Sequence, residues 1–125
     1  MMETYRGEKI LSELSARIHP ADKNIPDCRC ILALSDNHLF VIEDNFDGSF
    51  TDHYIIEIKF IEDIRISEGE EGKADFKPVS GRIHRIKRPK KYLEVIYNDD
   101  NFVKQHLFFD EWDVSPKQFV KTFKG

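Results

Sequence analysis

The chain has 125 residues, of which 40% are hydrophobic and 34% are charged, and its formal net charge is −4. This length suits one folded domain, so we expect a single domain over residues 1–125, with ten phenylalanines available for its core. The longest apolar runs, such as IIEIKFI, fall far short of the roughly 20 residues that span a bilayer. The N-terminus has no apolar stretch behind a basic start, which excludes an ordinary secretory signal. The composition therefore predicts a cytoplasmic protein.

Apolar and polar side chains alternate with a period of two from Gly7 to Phe109, which predicts an antiparallel sheet. The tripeptide Ser-Asp-Asn at residues 35–37, the pair Asp47-Gly48, and Asn-Asp-Asp at residues 98–100 are polar connections typical of turns. The glycine-rich and acidic residues 68–81 lack periodicity and form a predicted loop. The predicted strands are residues 8–18, 30–35, 38–44, 51–60, 61–67, 91–97 and 101–109.

The period changes near the C-terminus, where a short helix is expected. Ser115, followed by Pro116 and by Gln118 three positions on, has the pattern of a capping box. Val114 and Phe119 have the spacing of a hydrophobic staple, and the apolar residues of the helix should pack on the sheet. Trp112, just before the helix, is interpreted as an anchor in the core. The predicted apolar stripe consists of Phe119, Val120 and Phe123.

About seven strands and then one helix is also the order of a pleckstrin-homology-like domain. The segment LALSDNHLFVIED resembles the second hairpin of bacterial pleckstrin-homology and GRAM-type domains, and Ile64 matches the isoleucine that starts a later strand. This resemblance implies a mainly β fold, a partly open barrel of about seven antiparallel strands capped by the C-terminal α-helix. It also implies a binding module, although the basic residues of the first long loop are diluted by Asp22 and Asp27. The residues that match the hairpin motif are Leu34, Ser35, His38, Leu39 and Phe40; the basic residues in and beside the loop are Arg17, His19, Lys23 and Arg29.

Positive charge is concentrated in one segment of this acidic chain. Lys77 to Lys91 contains seven Lys or Arg and no acid, whereas the other residues hold 12 basic and 23 acidic side chains. Fields within a Debye length of about 8 Å follow such local charge rather than the average. We name the following residues the basic strip and predict that they bind the ligand: Arg82, Arg85, Lys87, Arg88, Lys90 and Lys91.

Three interpretations of the basic strip remain open. Each Lys or Arg near an anionic leaflet contributes about 1 kcal/mol, so the strip could hold the protein at the membrane periphery, or bind an acidic protein. Nucleic acid is disfavoured, because only Phe76 and Tyr92 flank the run and single strands need interleaved aromatic side chains. The strip could also be a solvated segment paired with the acidic residues just before it.

The sequence lacks the usual motifs of phosphate-binding loops, zincins and serine hydrolases, so a non-enzymatic binding module is predicted. Cys28 and Cys30 form a single C-x-C pair, interpreted as two residues on opposite faces of a strand; zinc would need two of the five histidines to converge. Residues 43–48 resemble the start of a calcium-binding loop, whose twelfth residue is a glutamate that binds the ion. The twelfth residue here is Tyr54, so a hairpin turn is expected instead. No metal, cofactor or catalytic residue is predicted. The alternative function is self-association into a homo-oligomer through the face that carries Ile55.

Overall fold

The computed structural model describes residues 2–19, 28–69 and 90–125, the side chain of Lys90 excepted. Its strands are β1 Thr4–Tyr5, β2 Glu8–Lys9, β3 Ser12–Ile18, β4 Arg29–Leu34, β5 His38–Asp44, β6 Phe50–Glu57, β7 Ile61–Gly69, β8 Lys90–Asn98 and β9 Lys104–Asp110; one 3-10 turn covers Ile58–Phe60 and the helix α1 covers Lys117–Lys124.

Seven strands form one antiparallel sheet in the order β6-β5-β4-β3-β9-β8-β7. Consecutive strands pair from β3 to β6 and again from β7 to β9, and β9 joins the two sets by pairing with β3. The sheet is not closed into a barrel, because β6 and β7 lie at its two ends. The predicted fold class is confirmed: the chain is mainly β, with a seven-stranded antiparallel sheet and one C-terminal helix, consistent with a pleckstrin-homology-like open barrel.

Three predicted strands are shorter in the structure, and the one predicted at residues 101–109 begins only at Lys104. Residues 8–18 divide at residues 10 and 11, because β2 pairs with β1 in a separate two-stranded sheet. Arg6 and Gly7, between β1 and β2, both have positive φ, as a type I′ hairpin turn requires. The predicted strand 51–60 ends at Glu57, where the chain enters the 3-10 turn and the Ile58 amide donates a hydrogen bond to the Asn37 carbonyl at 2.9 Å.

The core lies on the inner face of the curved sheet, under the helix. Alternate residues of each strand face it, as the period of two requires. A second, smaller apolar cluster on the outer face is covered by the β1–β2 hairpin, whose Tyr5 ring meets Phe40 edge-on at 5.0 Å. The fully buried core residues include Leu14, Leu32, Leu39, Val41, Ile64, Leu93, Val95, Phe109 and Phe119.

The helix packs against β3 and β7 through Phe119, the residue of its apolar stripe that is buried. The predicted capping box is wrong: the Ser115 hydroxyl accepts a bond from the Lys117 amide at 3.4 Å, and the Gln118 amide group donates to the Thr122 hydroxyl at 3.5 Å. The staple is wrong as well, because Val114 is 60% exposed.

Trp112 is half-buried against the core and its indole N–H donates to the Phe109 carbonyl at 2.9 Å, so its predicted role as an anchor is confirmed. Among residues 2–19, 28–69 and 90–125, no helix has the length and apolar character needed to cross a membrane.

Candidate functional site

The basic strip lies mainly outside the described residues, and what is described is the place where it joins the sheet. The ladder of β7 and β8 continues to the pair Gly69 and Lys90, so both ends of the segment 70–89 leave the sheet at one point. Lys91 is exposed and lies opposite Glu68. The strip residues outside the described part of the chain are Arg82, Arg85, Lys87 and Arg88.

Tyr92 fixes the position of the residues that follow the strip. It is 6% exposed, and its ring meets those of His19 at 5.3 Å and Phe108 at 6.0 Å, both edge-on. Edge-to-face aromatic pairs at such distances are stabilising. Since His19 follows the last residue of β3, the strip enters the sheet beside the end of β3.

The two cysteines lie on one face of the chain, which corrects the expectation of opposite faces. Residues two apart in an extended chain point the same way, and the Sγ atoms of Cys28 and Cys30 are 3.6 Å apart. Cys30 is 1% exposed and belongs to the core, whereas Cys28 is half-buried at its edge. Burial raises the pKa of the Cys30 thiol well above its ordinary value.

A β-bulge brings a histidine to this pair. Tyr54 lies opposite Val41 but Asp52 lies opposite Ile42, so His53 is the extra residue on β6. A bulge re-aims the side chain that it carries. The His53 Nε2 atom lies 3.8 Å from the Cys28 Sγ atom and 2.9 Å from the Glu43 Oε1 atom.

Glu43 completes the group, which we name the Cys-His cluster: Cys28, Cys30, His53 and Glu43. The carboxylate of Glu43 accepts a hydrogen bond from His53, and this bond, aided by Cys28, lowers the pKa of Glu43 below its usual value. The His53 side chain is 12% exposed and that of Glu43 is 36% exposed, so the cluster opens to solvent on one side.

The hydrogen-bond geometry does not suit a nucleophile–base–acid relay. Such a relay needs one imidazole nitrogen facing the thiol and the other facing the carboxylate. Here the same Nε2 atom contacts both Cys28 and Glu43. The donor atoms of Cys28, Cys30 and His53 instead lie within 4.8 Å of one another, a separation that one metal ion could bridge.

The other described histidines have different partners. His38 pairs with Glu8 at 2.7 Å, and His106 pairs with Glu94 at 2.7 Å on the outer face. Among the four histidines that the structure describes, His53 is the one that converges on the cysteines. His84 lies outside the described residues.

The calcium-like residues 43–48 form a hairpin turn, as predicted. Their carboxylates accept bonds from the turn itself, with Asp44 accepting from the Phe46 amide at 2.8 Å and Asp47 from the Ser49 amide at 2.9 Å. These carboxylates therefore stabilise the turn.

An open groove of about 680 Å³ runs along the sheet beside the Cys-His cluster. Four carboxylates line it, and its arginine, Arg29, donates to the Ser15 hydroxyl at 3.0 Å. Such an acidic groove is unsuited to an anionic ligand. The carboxylates are those of Glu13, Glu43, Asp44 and Asp113.

Comparison of the chain with protein-family models and with curated proteins found no match in either case.

Proposed function

We propose that this protein is a non-catalytic binding module, similar in plan to the pleckstrin-homology-like and GRAM-type domains, which contacts an anionic partner through the basic strip. The observation that carries the proposal is the segregation of charge, since seven basic residues and no acid occupy residues 77–91 of a chain with a net charge of −4. A lipid headgroup surface is the first candidate partner, and an acidic protein surface is the second.

The described remainder of the molecule carries positive charge that is partly paired. Several of its basic side chains lie in ion pairs with carboxylates, which neutralise their charge locally. Such pairing favours the strip as the main source of attraction for an anionic surface. The described pairs are Arg6 with Asp52, Arg17 with Glu111, Lys59 with Glu57, Arg65 with Glu94, Lys104 with Glu62, and Lys124 with Asp63.

The anchoring of the strip supports the same proposal. The nine residues of β7 and the nine of β8 form a long hairpin, and Tyr92 is buried immediately after the strip. Lys90 and Lys91, at the end of the strip, therefore lie in β8, and local positive charge can attract an anionic surface although the net charge is negative.

The test is co-sedimentation with vesicles of phosphatidylcholine alone and of phosphatidylcholine with phosphatidylserine, at low and at physiological salt. At about 1 kcal/mol for each cation that faces the lipid, replacing five strip residues by glutamine removes about 5 kcal/mol and should lower the affinity for anionic vesicles about 1000-fold or more. Salt should weaken the binding of the natural chain. The five substituted residues are Arg85, Lys87, Arg88, Lys90 and Lys91.

A matched control removes the same charge from elsewhere. Substituting five exposed lysines outside the strip by glutamine also lowers the net charge by five, yet should reduce vesicle binding much less than the strip variant does. Equal losses in the two variants would contradict a localised contact. If vesicles do not bind but polyglutamate does, the partner is an acidic protein surface; binding to neither probe would overturn the proposal. The control lysines are Lys9, Lys59, Lys104, Lys117 and Lys121.

Self-association is the second candidate function, and one observation favours it. The strand β6 is at an end of the sheet, and its Ile55 side chain is 45% exposed. An end strand with an exposed apolar residue can pair with a second copy. Light scattering distinguishes the two functions, because a dimer that Ile55→Lys dissociates, without any ligand, would favour assembly.

A further inference from the structure

We propose that Cys28, Cys30 and His53 bind a zinc ion, with the Glu43 carboxylate as the fourth ligand. In a tetrahedral zinc site with Zn–S of about 2.3 Å and Zn–N of about 2.0 to 2.1 Å, two sulfurs lie about 3.8 Å apart and a sulfur and a nitrogen about 3.6 Å apart. The Cys28 Sγ atom lies 3.6 Å from that of Cys30 and 3.8 Å from the His53 Nε2 atom. The cluster thus has two edges of the required tetrahedron.

The third edge has an upper limit. The Cys30 Sγ and His53 Nε2 atoms lie within 4.8 Å of each other, so binding one ion requires a shift of at most about 1.2 Å along this edge. His53 belongs to a bulge, where the backbone is less constrained than in a regular ladder, and it can supply this shift.

Glu43 is placed to become the fourth ligand. Its carboxylate now accepts a hydrogen bond from the same His53 nitrogen that would bind zinc. When Nε2 gives its lone pair to the metal, the proton of the neutral imidazole is carried by Nδ1, and the Glu43 oxygen is released towards the ion. Each thiol loses its proton to solvent as its sulfur binds. No oxidation or reduction is involved.

The ligand types select zinc over other common divalent ions. Two thiolates exclude calcium and magnesium, which take oxygen ligands. A tetrahedral set of two sulfurs, one imidazole and one carboxylate matches the ligands that zinc takes in proteins. The half-buried Cys28 and the partly exposed Glu43 give the ion a path from solvent.

The fold gives the bound ion a structural role. Cys28 immediately precedes β4, Cys30 lies on β4, Glu43 lies near the end of β5, and His53 lies on β6. An ion held by all four residues would cross-link three neighbouring strands at one end of the sheet. We therefore expect zinc to stabilise the folded state.

The test uses the full chain without a histidine tag, kept reduced. After incubation with zinc and dialysis, elemental analysis should find one zinc per chain. Cobalt(II) in place of zinc should give a sulfur-to-cobalt charge-transfer band, which reports thiolate ligation. We expect His53→Gln to weaken cobalt binding at least about tenfold, and Glu43→Gln to weaken it less. The matched control, His106→Gln, removes a histidine that pairs with Glu94 on the outer face and should change the affinity less than about twofold.

Folding of the variants is checked separately. Cys28→Ser is chosen rather than a change at the buried Cys30, and its circular dichroism and metal-free melting temperature should match those of the natural chain. A chelator should lower the melting temperature of the zinc-loaded natural chain but not that of Cys28→Ser. In the natural chain, zinc should also slow the reaction of the thiols with a maleimide. Cobalt binding without the charge-transfer band, or equal binding by His53→Gln and His106→Gln, would overturn the proposal.

Discussion

The substitution Glu94→Gln tests the charged cluster on the outer face of the sheet. The Glu94 side chain is 6% exposed and accepts hydrogen bonds from Arg65 Nε at 2.9 Å and from His106 Nδ1 at 2.7 Å. A glutamine at this position has one acceptor oxygen, so one donor would face an NH₂ group. The variant therefore loses one charge-assisted hydrogen bond and weakens the other.

The expected cost follows from the exposure of the partners. Hydrogen bonds to charged groups contribute about 1.5 to 3 kcal/mol, whereas breaking a fully buried ion pair costs about 3 to 5 kcal/mol. Because the side chains of Arg65 and His106 are 52% and 42% exposed, water can solvate them after the substitution. We expect Glu94→Gln to lower the free energy of unfolding by about 2 kcal/mol, which for a chain of this size lowers the melting temperature by about 8 °C.

The decrease in the free energy of unfolding caused by Glu94→Gln should depend on pH. Burial would raise the pKa of Glu94, but the hydrogen bonds from His106 and Arg65 outweigh burial and hold the pKa below its usual value. A carboxylate whose pKa is lowered by folding stabilises the protein above its unfolded pKa of about 4.3, and that stability disappears as the pH falls through the folded pKa. The difference in the free energy of unfolding between the natural chain and Glu94→Gln should thus reach its full value at pH 6 and decrease below about pH 4.

Urea unfolding at a series of pH values measures this difference. The matched control is Glu57→Gln, since Glu57 pairs with Lys59 at 3.9 Å and both side chains are exposed; it should cost less than about 0.5 kcal/mol. Equal costs for the two variants, or a cost for Glu94→Gln that stays constant down to pH 3, would refute the assignment of the stability to this carboxylate.

Three further substitutions test the fold. Phe119→Ala removes the buried side chain of the helix and leaves a cavity, so it should lower the free energy of unfolding, measured by urea unfolding, by about 3 to 5 kcal/mol. A decrease below about 1 kcal/mol would show that the packing of the helix contributes little to stability. Phe102 is 82% exposed at a φ of +61°, so Phe102→Gly should raise the melting temperature slightly, and a decrease would contradict strain at this turn. Asp52 accepts a hydrogen bond from the Tyr5 hydroxyl at 2.6 Å, so Asp52→Asn should speed amide hydrogen exchange in residues 4–9 without changing exchange in the main sheet. Unchanged exchange in residues 4–9 would refute the idea that this bond holds the β1–β2 hairpin on the sheet.

The sheet was predictable because its signals are local. Alternation and turn residues predict the hairpins around residues 35–37, 47–48 and 98–100, and each is present in the structure. The errors occur where tertiary contacts decide. The Ser115 hydroxyl bonds one residue earlier than a capping box requires, and Val114 points to solvent rather than to Phe119.

The Cys-His cluster could be predicted only in part. Cys28 and Cys30 are two residues apart in an extended segment, and this spacing alone predicts the same face for both rather than opposite faces. The turn at Asp47-Gly48 brings residues near 43 and 51 together, so Glu43 could have been placed near the start of β6. The contribution of His53 could not be predicted. In a regular ladder, His53 and Tyr54 would point to opposite faces of the sheet, and the bulge opposite Val41 and Ile42 turns His53 towards the cysteines.

The Cys-His cluster and the anchor of the basic strip lie beside the same end of β3. The Ile18 amide donates to the Cys28 carbonyl at 3.1 Å, and the adjacent His19 ring contacts Tyr92 at 5.3 Å. Yet zinc should not alter the electrostatic attraction of the strip, because one dication replaces two thiol protons and leaves the net charge unchanged. Vesicle binding should therefore be equal within about twofold with zinc and with a chelator, since Coulomb attraction follows charge. A larger change would mean that ordering the end of β3 repositions the strip, which would couple two sites that their charges alone leave independent.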